Sequence, residues 1–163
     1  RIRFPWLFLG LIGGFLATLV VRSFEVTLTQ QVALAFFMPA IVYMASAVGS
    51  QTQTLFIRIT AIKKIGVVRY MGREVIVDGV LGILLAAVMF VFAYIFSGQL
   101  EIALIVSVAM LLTILVAGLV AVAIPCLLIR FKRDPAIGAG PFGTVIQDIL
   151  SLVVYFAVAS LLL

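Results

Sequence analysis

Asp148 is the residue in this chain most able to do chemistry. It is one of only six carboxylates among 163 residues, and it stands inside a long apolar run. Thr144, Asp148, Ser151 and Tyr155 follow one another at spacings of four, three and four residues. On a helix these spacings make one face. Gln147 and Ser160 lie close to that face, and the opposite positions are Val, Ile, Leu, Phe and Ala. An aspartate near the centre of a membrane helix costs ~2.5–3.5 kcal/mol on insertion scales, so its presence needs a reason. A polar stripe along an apolar helix suits a water-filled path. The plain alternative is that Asp148 pairs with a buried Arg or caps a broken helix. No basic residue lies within the apolar runs to serve as such a partner. Carboxylate, hydroxyl and amide groups are oxygen donors, the kind that hard cations prefer.

A second polar set lies upstream. Ser46, Gly49, Ser50, Gln51, Thr52, Gln53 and Thr54 interrupt another apolar run, and Ser46, Ser50 and Gln53 share a face. Ala45 with Gly49 and Ser46 with Ser50 are pairs of small residues four apart, which let helices approach closely. Packing and pore lining both fit this set. Pro39 can bend the same helix and free a carbonyl. Gly10 and Gly14 form a GxxxG, read as close packing. Asp78 stands about one turn inside Arg73 and Glu74, and it is expected to reach water or those neighbours. Pro125 should kink its helix, and Cys126 should pack as a small apolar residue. Between Asp134 and Pro141 a tight turn is expected, with Pro141 in the first turn of the last helix. Asp134 then stands at the mouth of the polar stripe.

The elements that must position these residues follow from composition. Apolar residues make up 66% of the chain, charged residues 10%, and mean hydropathy is +1.39. A soluble domain is about half apolar and a quarter charged, so a soluble enzyme and a disordered tail are both excluded. Long apolar runs without alternation favour helices over a lipid barrel. Five spans are expected, at about 4–21, 31–57, 75–96, 102–129 and 142–162, forming a single transmembrane domain over 1–163. The stretch from Arg58 to Arg73 reads as a basic loop, and Ser97-Gly98-Gln99 as a turn. Basic residues before and between the spans number two, one, five, none and three. High and low alternate, which places the N-terminus and both basic loops in the cytoplasm and the C-terminus outside. The formal charge of +5 is thus assigned to cytoplasmic loops and not to nucleic acid. The chain begins at Arg1 and not at Met, as a piece of a longer protein would.

There is no His and a single Cys, which excludes a Cys/His zinc site, a disulfide framework and His-based catalysis. No nucleophile–base pair is visible, so no enzyme is expected. One carboxylate per chain cannot cage a bare divalent ion. A twofold dimer would bring two copies of Asp148 to one axis, where a divalent cation cancels both charges. Mg²⁺ sheds water reluctantly, so a wide site would hold it hydrated.

Asp134-Pro135-Ala136, Gly140-Pro141-Phe142, Thr144 and Asp148 together resemble the last-span signature of the MgtE-type magnesium transporters and channels. In that signature an aspartate follows the glycine by eight residues, as Asp148 follows Gly140. Arg73-Glu74 and Pro39 with Gly49-Ser50-Gln51 are also similar. The resemblance covers essentially the whole chain. It implies a homodimer in the cell membrane, with a pore at the dimer axis between spans two and five. It implies Mg²⁺ as the bound and transported ion, with Asp148 holding it hydrated and Asp134 near cytoplasmic Mg²⁺ sites. Thr144, Gln147, Ser151, Tyr155, Ser46, Gly49, Ser50 and Gln53 are the expected pore lining. Cytoplasmic regulatory domains, including CBS domains, are common in the family and absent from these residues. The chain departs from the family pattern at Ala45-Ser46-Ala47, where Gly-Gly-Asn is usual, at Val145 and at Asp78. These departures bear on ion choice and gating. The expected function is a passive Mg²⁺ channel or uniporter; the alternatives are an H⁺- or Na⁺-coupled divalent cation exchanger using Asp78 or Asp148, and a membrane scaffold that transports nothing, in which the polar stripe is a packing seam.

Overall fold

The computed structural model describes residues 3–63 and 65–163, and all regular structure among them is helical. The helices are α1 (Arg3–Ser23), α2 (Glu25–Gln30), α3 (Ala33–Ile62), α4 (Val67–Ser97), α5 (Leu100–Arg130) and α6 (Pro135–Leu162). Helices α3, α4, α5 and the Phe142–Leu162 stretch of α6 are long and apolar enough to cross a bilayer, and α1 adds a shorter apolar stretch, Leu7–Ser23. Outward-facing side chains such as Phe8, Phe15, Ile83, Val88 and Ile95 are exposed and apolar. Water would not tolerate so much apolar surface, whereas lipid requires it. The protein is an integral membrane protein.

The helices run past their apolar segments. At 1.5 Å per residue, the 31 residues of α4 rise about 46 Å, against a hydrocarbon core of ~30 Å. The basic loop expected over 58–73 is therefore mostly helix. Arg58 lies inside α3, which ends at Ile62, and Arg69 and Arg73 lie inside α4, which begins at Val67. Lys64 lies outside the described residues. A helix satisfies its own backbone groups in any solvent, so it need not stop where apolarity stops. The expected turn before the last span is likewise corrected. The backbone is helical from Pro135, and Pro135, not Pro141, begins the helix. Proline suits that position because its missing N–H has no intrahelical partner to lose. The link after α1 contains the short helix α2. The turn at Ser97–Gln99 is present. Gly98 closes α4 at φ +67, and its N–H reaches the Tyr94 carbonyl at 2.9 Å. Glycine adopts this left-handed geometry without a Cβ clash.

Helix α5 is central and packs against α3, α4 and α6. It buries Ile102, Ile105, Met110, Ile114 and Val122, while Ala103, Ala109, Ala117, Gly118 and Ala121 allow its neighbours close. Pro125 lies within α5 and is buried, and Cys126 is half-buried beside it. Helix α6 lies between α1 and α3. Of the long helices, α1 packs on α6 alone. One side of α6 thus faces a slot whose walls are α1 and α3.

Candidate ion-handling site

Asp148 sits in that slot. It is half-buried, and the Ser46 hydroxyl of α3 donates to its Oδ1 at 2.7 Å. The bond joins two open grooves. One, of about 490 Å³, runs along α1 and α6 and is lined by Leu7, Gly10, Gly13, Gly14, Thr144 and Asp148. The other, of about 440 Å³, runs along α3 and is lined by Tyr43, Ser46, Ala47, Ser50, Gln51 and Thr144. Thr144 belongs to both. It is exposed and gives its hydroxyl to the Gly140 carbonyl at 3.0 Å, one turn back. Ser50 is exposed and donates to the Ala47 carbonyl at 3.0 Å.

Local sequence explains why the slot is open here. Gly10 and Gly14 have no neighbour within 4 Å of where a side chain would start, so α1 leaves space before Asp148. Gly13, between them, takes the side chain of Val145 and seats α1 on α6. The α1–α6 seam thus runs through Gly13, and the expected GxxxG glycines flank the groove.

The other expected site residues are placed differently. Gln147 is 4% exposed and points inward; its amide nitrogen donates to the Ala117 carbonyl of α5 at 3.2 Å. Gly49 is buried, and the Gln147 side chain fills the place of its missing Cβ. Gln53 is half-buried, with its amide oxygen packed on Gly143. Ser151 is buried and donates to the Gln147 carbonyl at 2.6 Å. Tyr155 is fully buried, and its hydroxyl donates to the Leu34 carbonyl at 2.7 Å. The stripe of α6 is therefore open toward its N-terminal half and closed by α3 toward its C-terminal half. Asp134 is exposed just before α6. It lies 14 positions from Asp148 along a continuous helix, roughly 20 Å, so one chain does not bring the two carboxylates together. Among the described residues no cluster of three or more His, Cys, Asp or Glu forms, so any metal held here would need groups beyond one protomer's carboxylate, including water.

Asp78 departs from expectation. It does not reach water: it is 1% exposed, and neither of its carboxylate oxygens has a hydrogen-bond partner among the described residues. It packs on Gly118 of α5. One turn earlier, Glu74 accepts the Thr52 hydroxyl of α3 at 2.9 Å. Gly13, Gly118 and Thr52 were not singled out as site residues from sequence. Each matters through a residue far away in the chain, and a single sequence carries no signal for such pairings.

Comparison with known proteins places the chain in a family. Residues 38–158 match the family described as MgtE, divalent cation transporter. The chain is 34% identical over 161 residues to a magnesium transporter MgtE of Bacillus subtilis, covering 97% of the chain and 36% of that protein. It is 30% identical over 164 residues to a magnesium transporter MgtE of Thermus thermophilus, covering 99% of the chain and 36% of that protein. A magnesium transporter MgtE of Enterococcus faecalis is 28% identical over 163 residues, again with 36% of its length covered. The chain spans about a third of the length of these relatives. It belongs to the MgtE family of divalent cation transporters.

Proposed function

We propose that this chain is the membrane part of a homodimeric magnesium channel or uniporter, in which Asp148 from both protomers holds a hydrated Mg²⁺ on the twofold axis. The observation that carries the reading is the environment of Asp148. Its carboxylate stands in an open slot of a membrane helix, held by one neutral hydroxyl and by no salt bridge among the described residues. A single protomer leaves that slot half-walled, and a second copy facing it would enclose a path. Thr144, Ser46 and Ser50 lie on the same open side and supply hydroxyls to a hydration shell. The relatives named magnesium transporters support Mg²⁺ as the substrate. The alternation of basic residues supports an N-terminus in the cytoplasm and a C-terminus outside. Asp134, in this reading, meets the ion at the cytoplasmic mouth.

The test is a flux assay on the protein in liposomes, with and without an imposed H⁺ or Na⁺ gradient. Uptake that follows the Mg²⁺ electrochemical gradient alone is the expected result. Uptake driven by an H⁺ or Na⁺ gradient against that of Mg²⁺ would establish a coupled exchanger instead. Absence of any divalent flux would leave a scaffold.

A further inference from the structure

Asp78 is the one buried carboxyl for which the ion path has no use. It is 1% exposed, and both of its oxygens lack hydrogen-bond partners among the described residues. One oxygen lies so close to Gly118 that even a methyl group there would collide with it. That contact leaves no room for a hydrated cation on that side. A bare carboxylate buried without donors is severely penalised, and such a group neutralises itself. A proton removes the charge and needs no space.

The groups around Asp78 supply no other neutralising charge. On α4, Glu74 one turn away is itself acidic, Tyr70 lies one turn beyond, and Arg73, next to Glu74 in sequence, lines the cavity beside them. Helix α3 presents Thr52, engaged with Glu74, and α5 presents Gly118. Neither brings a cation to Asp78. Glu74 also lines a cavity of about 710 Å³ between the ends of α3 and α4, with Lys63, Arg69 and Arg73 around it. Glu74, one turn nearer that cavity on the same helix, would be the relay for a proton leaving Asp78 toward water.

The contact with Gly118 carries the effect toward Asp148. Ala117, its neighbour, accepts the Gln147 amide at 3.2 Å, and Gln147 precedes Asp148 on α6. The α5 backbone at 117–118 is therefore held by Asp78 on one side and Gln147 on the other. We propose that Asp78 is a proton-binding site inside each protomer, linked to Asp148 through Gly118, Ala117 and Gln147. Loss of the proton places an uncompensated charge against Gly118 and shifts the segment that seats Gln147. The proton site stands on its own geometry; its effect on flux rests on the proposed role of Asp148.

Infrared spectroscopy of the whole protein in lipid tests the site directly. A protonated carboxyl gives a carbonyl band that shifts in D₂O. That band should be present at neutral pH in wild type and in Asp148→Asn, and absent in Asp78→Asn. Asp78→Ala provides a second assignment by removing the oxygens altogether. Glu74→Gln should keep the band and slow its deuterium exchange. A band that survives in both Asp78 variants overturns the proton site, and unchanged exchange in Glu74→Gln overturns the route. In liposomes, Mg²⁺ uptake by wild type should fall several-fold from mildly acidic to alkaline pH, while Asp78→Asn keeps the acidic rate throughout. Identical pH profiles overturn the link to Asp148 even where the band is found. If no variant carries Mg²⁺, the transport reading fails while the band still decides the proton site.

Discussion

The Gln147 side chain occupies the space that a side chain at Gly49 would take. This contact seats α6 against α3 at mid-helix, and the Gln147 amide also reaches α5, donating to the Ala117 carbonyl at 3.2 Å. Gly49→Ala should push the amide out and leave buried polar groups unpaired, at a cost of about 1–3 kcal/mol. Thermal melting in detergent should show a clear drop. Gly72→Ala is the control: its added methyl meets nothing within 4 Å, and it should melt no earlier than wild type.

Asp148→Asn keeps the size of the side chain and can still bond Ser46, but it removes one charge from each protomer. At an effective dielectric near 20, a unit charge pair at 4 Å is worth about 4 kcal/mol. Divalent flux should fall well beyond tenfold, with melting little changed because no buried cation loses its partner. Asp134→Asn should do less, since an exposed carboxylate is screened by salt. Liposome uptake of Mg²⁺ for the two variants, side by side, checks the order. If Asp134→Asn abolished flux and Asp148→Asn did not, the selective site would lie before α6.

Orientation is open to direct labelling. Gln99, exposed in the α4–α5 turn, should react as cysteine with a reagent added outside the cell. Lys63, exposed where α3 ends, should not react until the membrane is opened. The reverse pattern would move Asp134 and the basic ends of α3 and α4 to the outer side.

The proposed dimer makes a further demand. Thr144 and Ser50 are exposed on the open side of α6 and α3, so cysteines at these positions should cross-link between chains in membranes. Val88, 68% exposed on α4, faces lipid in this arrangement and should not cross-link as cysteine. A protein that transports at full rate as a monomer in lipid would remove the twofold axis from the mechanism.

The helical architecture was legible because every long run is apolar and the polar residues within it are few. Helix ends were less legible, since Arg58, Arg69 and Arg73 continue helices that apolarity alone would have ended. The candidate site was legible in part. Thr144 and Tyr155 share one face of α6, yet the first is exposed and the second fully buried. Spacing fixes the face of a helix but not which stretch of that face another helix will cover. That depends on α1 and α3 meeting α6 at different levels. Asp78 was misplaced for the same reason: its distance from Arg73 along the chain suggested a boundary, while α5 closes over it.

Every polar cross-link that α6 makes to another described element reaches backward in the chain. Ser160 pairs with Thr27, Tyr155 with the Leu34 carbonyl, Asp148 with Ser46, and Gln147 with the Ala117 carbonyl. During synthesis α6 is thus made after the described elements that hold these polar groups. Its hydroxyls, amide and carboxylate enter a bilayer in which their acceptors and donors are already threaded. Had α6 come first, those groups would have faced hydrocarbon alone, and the order of elements in this chain is itself a safeguard for membrane insertion.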